Sequence, residues 1–405
     1  MEARWGSVFA KYSTQKFNPR RLDVSENDEE NFYKPYRTPS VALLESRLHK
    51  VDPRRANDCL MNFRDIFSAL IQYSMHALER DRNIFAYHYG FLCFRHLLHL
   101  ICYSILQRTQ VPPTYFENLH PDAEWSDLSN LMTIEASNEA QRATEDAALF
   151  GEFCDIFTSH EFLGSPSTAD LTPGELAGYI GAILWKDCDS LLTLCVRGLL
   201  PGFSLLLLVL LKLLQIYPNK ESFHQITYYV QTLVLRLYPV GSHCDRHILQ
   251  GVHLFCRDML VPEMATDHLF VSPEDTRTLY QAYSGLLLVW RQNGFSTKSV
   301  PISLMSGLTG VVASSTANSS ATTLELIDLT ATCFDSLWLL IEDRGLIATT
   351  EHSDFVSYLS NLLHMIRTTN RRISSKAERL KMAQMLADTE IISLAGRLIL
   401  PVLDE

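Results

Sequence analysis

The chain has 405 residues, 47% of them hydrophobic, 10% aromatic and 20% charged, with a formal net charge of −11. That composition excludes wholesale disorder, which needs fewer aromatic residues and more charge, and 17 glycines with 16 prolines exclude a collagen-like chain. The acidic balance argues against a global nucleic-acid binder, and the length suffices for two or three ordinary cores or one long helical array.

No apolar h-region follows Met1, so a secretory signal is not expected. Trp5, Val8, Phe9 and Tyr12 fall at i, i+3, i+4 and i+7 among Arg4, Lys11, Lys16, Arg20 and Arg21. This reads as an arm or a short partner-binding helix. Its faint likeness to a mitochondrial presequence is weakened by Glu2 and the scarcity of serine. Residues 13–39 are polar, hold Pro35 and Pro39 and show no apolar period, so 1–39 is expected to be an arm with a linker.

Helical spacing begins at Val41 and defines a region over 40–163. Leu60, Phe63, Phe67, Leu70, Ile71 and Leu78 keep that spacing, Ile84–Leu106 predicts a buried helix, and Glu139–His160 a further one. Thr172-Pro-Gly-Glu175 has capping-box spacing with proline at the first helical position. From Glu117 to Glu175 the chain carries 13 acidic residues against one basic residue, Arg142. That flank reads first as solvated surface, and second as an acidic face that repels nucleic acid and anionic lipid and recruits a basic partner.

The central region, 172–298, is organised by proline. Apolar segments end at Pro201, Pro218, Pro239 and Pro262, and Ser272-Pro-Glu-Asp275 opens another helix running to about Gln292. Proline cannot continue a helix, and short loops set consecutive helices antiparallel. The spacing is similar to the period of HEAT or armadillo arrays, roughly 40 residues per helix pair. The likeness is one of period only, because no side-chain consensus repeats.

Ser299–Thr323 contains Gly307, Gly310 and a run of small residues from Ala313 to Ala321, and reads as a flexible loop. Helices are then expected over Leu324–Glu342, Asp354–Arg367 and Ser375–Leu400 within a C-terminal region, 324–405, with a break near Asp388. Period-2 alternation is nearly absent. The expected fold is all-α: antiparallel helix hairpins arranged as an irregular α-solenoid or a stacked helical bundle.

Each candidate site has a plainer structural reading. Gly198–Tyr217 holds one charge, Lys212, and is long enough to span a membrane, but Pro201 and Gly202 interrupt it and a buried helix explains it as well. His243, Cys244, His247, His253 and Cys256 crowd one window, yet only His243 and His247 share a helix side, which favours a core cysteine with surface histidines over zinc. His88, Arg95 and His99 share a stripe with His96 further round, and read as a polar helix edge or buried ion pair. The natural acidic partners of that stripe lie in 117–175. Glu117–His120 and Glu221–His224 match half of a di-iron pattern but sit at helix ends. His160-Glu161 lacks the second histidine of a zincin. Arg371-Arg-Ile-Ser374 with Ser375 reads first as a helix cap with Glu378 in the first turn, and second as a phosphorylation or phosphate-contact site.

Nine cysteines, none in Cys-x-x-Cys and most inside apolar runs, point to reduced, core-filling thiols of a cytoplasmic or nuclear protein. No catalytic, cofactor-binding or metal residue is assigned, and no cofactor is expected. The expected function is a non-enzymatic protein–protein interaction scaffold whose concave surface carries exposed aromatics. Protein partners are expected, while nucleic acid and membrane are not. An all-α enzyme or ligand-binding domain without a recognisable motif, and a membrane-associated protein using 198–217, are the alternatives.

Overall fold

The computed structural model describes residues 40–49, 73, 84–108, 132–140, 173–216, 223–259, 273–293, 301–316, 320–344, 352–391 and 393–394. The 1–39 arm, the helical pattern over 60–78 apart from Tyr73, most of the acidic flank and the His160-Glu161 motif lie outside these residues. Thirteen α-helices are present among the described residues and no strands, so the fold is all-α. We number them α1 (Val41–His49), α2 (His88–Arg108), α3 (132–140), α4 (Pro173–Lys186), α5 (Cys188–Val196), α6 (Phe203–Ile216), α7 (Phe223–Leu237), α8 (His243–Met259), α9 (Pro273–Asn293), α10 (Ile302–Ser315), α11 (Thr323–Arg344), α12 (His352–Arg372) and α13 (Lys376–Asp388). Short 3₁₀ turns cover Ile84–Ala86 and Tyr238–Val240.

No described helix runs through any of the four prolines. Pro201 lies in the turn between α5 and α6 and Pro239 lies in the 3₁₀ turn that ends α7, while Pro218 and Pro262 lie outside the described residues. Pro173 and Pro273 are first helical residues, where the missing N–H would have had no partner anyway. α5 closes in a Schellman motif: Gly198 takes φ +66°, its N–H bonds the Cys195 carbonyl at 2.9 Å, and the Leu199 N–H bonds the Leu194 carbonyl at 2.9 Å. Serine and threonine caps open others. Ser242 with Asp245 caps α8, Thr322 with Glu325 caps α11, and Ser375 with Glu378 forms a full capping box on α13.

The chain divides into two compact units, Met1–Val230 with Gly241–Val252, and Gln231–Val240 with His253–Glu405. In the first, α6 packs on α2 and α4, and α1 packs on α2. Phe203 to Leu211, Leu213 and Leu214 are all buried, so α6 is covered all round. Each fully buried leucine contributes roughly 1.5–3 kcal/mol. The Asp187 carboxylate reaches across 103 residues to accept the backbone N–H groups of Ile84 and of Phe85, the latter at 3.1 Å, and so tethers the 3₁₀ turn that precedes α2.

In the second unit, α9 packs on α10 and α11, α10 on α12, and α11 on α12 and α13. Side-chain contacts give the directions. Tyr280 meets Val312 and Thr316 while Tyr283 meets Met305 and Thr309, so α9 and α10 are antiparallel. Arg277–Glu325 and Arg291–Asp335 make α9 and α11 parallel. Ser306–Ser357 and Thr316–Arg372 make α10 and α12 parallel. Asp328–Lys381 and Thr389–Trp338 set α13 parallel to α11. Helices of the same direction therefore neighbour one another at every second position.

One expectation is corrected here. The flexible loop expected over 299–323 instead contains α10, a helix whose residues Ile302 to Ser306, Leu308, Thr309, Val311 to Ala313 and Ser315 are buried. Glycine and hydroxyl side chains weaken an isolated helix. Here burial against α9 and α12 overrides that local cost, and the hydroxyls find acceptors inside the fold. Thr309 donates to the Met305 carbonyl at 2.8 Å and Ser315 to the Val311 carbonyl at 2.8 Å. Helix 132–140 is not among the expected helices, and of the helix expected over Glu139–His160 only Glu139 and Ala140 are described, both helical.

Candidate functional site

The histidine–arginine stripe of α2 is built into the core. His88, Arg95, His96 and His99 are all buried. His88 Nδ1 lies 3.2 Å from Glu45 Oε1. Burial pushes His88 down to about 4 and Glu45 upward, so His88 is neutral at physiological pH and this contact is not a full ion pair. His96 donates Nε2–H to the Leu44 carbonyl at 2.9 Å. The Arg95 guanidinium sits 5.8 Å from the centre of the Phe91 ring, and burial lowers it to about 9. The partner seen for His88 is thus Glu45 on α1, a residue outside the acidic flank at 117–175.

The histidine–cysteine window of α8 does not converge. His243 and His247 do share a side, with ring centres 4.6 Å apart, and Cys256 is buried. His253 is not a surface histidine, as expected from the helix angle, but a buried one. Its Nδ1 accepts from the Gln231 amide at 2.7 Å, which leaves Nε2–H to donate to Ser303 Oγ at 3.1 Å, and burial holds it down to about 4. The stripe geometry missed this because α10, read as a loop, supplies Ser303. No group of three or more His, Cys, Asp or Glu residues suited to a metal occurs among the described residues. Of the Glu-x-x-His pairs only His224 is described, on the first turn of α7.

The membrane alternative meets a plain observation: among the described residues no helix is long and apolar enough to cross a membrane. α6 begins at Phe203, because Gly202, at φ +80°, belongs to the preceding turn with Pro201. Of the described cysteines, Cys93, Cys102, Cys256 and Cys333 are buried and all seven are free. Burial raises the Cys102 and Cys333 thiols to about 12, which makes them poor nucleophiles.

The expected exposed aromatics are absent from the described residues. The strongly exposed large apolar side chains are aliphatic: Ile134, Val196, Leu288, Val289, Leu324, Val356, Leu363 and Leu380. Trp185 on α4 is half-buried and stacks on Tyr229 of α7, with ring centres 5.1 Å apart and planes within 9°.

The C-terminal basic stretch separates into two classes of cation. Arg372 is structural. It donates to the carbonyls of Thr316 at 2.9 Å and Ala321 at 2.7 Å, which stabilises the end of α10. Lys381 pairs with Asp328 at 2.6 Å. Arg367, Arg371, Lys376 and Arg379 are exposed and make no such contact among the described residues. At about 100° per residue, Val356, Ser360, Leu363, Arg367 and Arg371 fall within about 80° of one another on the exposed side of α12. Glu378, the one acid of 367–381, is committed to the α13 cap. It accepts Ser374 N–H and Ser375 N–H, each at 2.9 Å, and these bonds hold it below the usual carboxylate range. The capping reading of Ser374 and Ser375 therefore accounts for both hydroxyls.

No family model matches the chain, and neither a curated protein nor a solved structure matches it.

Proposed function

We propose that the chain is a non-enzymatic interaction scaffold, with its second unit organised as a short α-solenoid. The observation that supports this is the stacking of α9 to α13, in which antiparallel neighbours alternate and every second helix is parallel. Such stacking buries the faces between helices and leaves outer faces continuous across several of them. Exposed side chains of α9, α12 and α13 include Leu288, Val289, Val356, Leu363 and Leu380, together with Arg367, Arg371, Lys376 and Arg379. Among the described residues His88, His96, His99, His253, Cys93, Cys102, Cys256 and Cys333 are buried, and no three or more His, Cys, Asp or Glu residues converge on a site that could hold a metal, which supports binding over catalysis. Cross-linking mass spectrometry of the full chain in native lysate tests the proposal. Cross-links from partner proteins should concentrate on α9, α12 and α13. A metabolite that raises the melting temperature by several degrees, with cross-links absent from those helices, would replace the scaffold with a ligand-binding domain.

A further inference from the structure

We infer that the corner where α12 passes into α13 docks an acidic, amphipathic peptide segment of a protein partner. This rests on the scaffold reading and names the chemistry of one of its surfaces.

Ion pairing among the described residues does not account for the cations at this corner. Lys376 and Arg379 stand in the first turn or so of α13, where the helix dipole is positive and a cation is unfavourable. Arg371 stands in the last turn of α12, where the dipole favours a cation, but it repels Arg367 at i−4. No acid among the described residues pairs with any of the four. Their neighbours Arg372 and Lys381 show what a structural cation looks like here, held by carbonyls or by Asp328.

Apolar side chains accompany the charge. Leu363 precedes the two arginines on the same stripe of α12 and is 47% exposed, and Leu380, next to Arg379, is 70% exposed. A partner that presents carboxylates flanking one or two leucine-sized side chains fits this arrangement. A bilayer or a nucleic acid fits less well. Either would bring an extended anionic surface towards a chain of net charge −11, whose 117–175 segment alone holds 13 acids. A short acidic segment can contact the corner within a Debye length of about 8 Å. Among the described residues the corner also has no exposed aromatic side chain on which a base could stack.

The test is fluorescence anisotropy of the full chain with a labelled helical peptide of glutamates and leucines, beside the same peptide with glutamine for glutamate. Binding to the glutamate peptide that weakens with salt, and at least about tenfold weaker binding by Arg367→Glu/Arg371→Glu and by Lys376→Glu/Arg379→Glu, is the expected result. The milder Arg367→Gln/Arg371→Gln variant, checked for an unchanged melting curve, guards against misfolding. Equal binding by wild type and variants overturns the inference, as does tighter binding to phosphatidylserine vesicles or to single-stranded RNA. The scaffold reading fails separately: partner cross-links could persist on α9 in the variants even if the corner binds nothing.

Discussion

α6 and α10 occupy fourteen residues each and both are buried almost all round, yet they are made of opposite materials. α6 fills its surroundings with leucine. α10 fits into its surroundings by being small: a Cβ on Gly307 would stand 2.9 Å from the Leu235 side chain, and one on Gly310 would stand 3.1 Å from Asn361. The first helix is held by apolar area removed from water. The second depends on close helix approach and on hydroxyls satisfied internally, including Tyr283 to Thr309 at 2.8 Å and Ser306 to Ser357 at 3.0 Å. Burial therefore has two sequence signatures, and only one of them looks hydrophobic.

Substitutions can break that contrast. Leu210→Ala in α6 leaves a cavity and should cost about 2–5 kcal/mol in chemical denaturation. A loss under about 1 kcal/mol would show that α6 is not filled as described. Gly307→Val in α10 does the reverse and overpacks against Leu235, at about 1–3 kcal/mol. If valine there were neutral, α10 would not be a close-packed helix.

A third measurement concerns the polar tether of the first unit. Burial raises the Asp187 carboxyl to about 7 despite its two backbone donors, and the side chain is 2% exposed. The folded state thus binds the proton more tightly than the unfolded chain, where the group titrates near about 4. Stability should fall as pH rises from about 4 to about 7, and level off beyond. The slope is at most about 1.4 kcal/mol per pH unit. Urea midpoints across this range should lose that component in Asp187→Asn, which keeps an oxygen for Ile84 and Phe85. The smallest effect belongs to the exposed ion pairs of the second unit. Lys381→Ala should cost about 0.2–1 kcal/mol and less at high salt, although the pair helps fix the register of α11 and α13.

The candidate surface was legible in part. The basic stretch and its helix cap can be read from Arg371, Ser374, Ser375 and Glu378, because capping is local chemistry. That Arg372 serves α10, whereas Arg371 faces solvent, depends on a helix more than fifty residues upstream and could not be read from spacing. The same holds for the histidine stripe, whose basic residues announced a partner but not Glu45, and for His253, whose donor and acceptor come from α7 and α10.

The sequence by itself determined the helical class, the corners at Pro201 and Pro239, the cap at Ser375 and the buried character of α6, since backbone sterics, side-chain capping and apolar periodicity act within a few residues. Only the tertiary structure decided that Gly307 and Gly310 sit in a buried helix, that Asp187 holds Ile84 and Phe85, and which arginines remain unpaired. Those outcomes follow from desolvation and from contacts between distant segments, and neither is written in any local window.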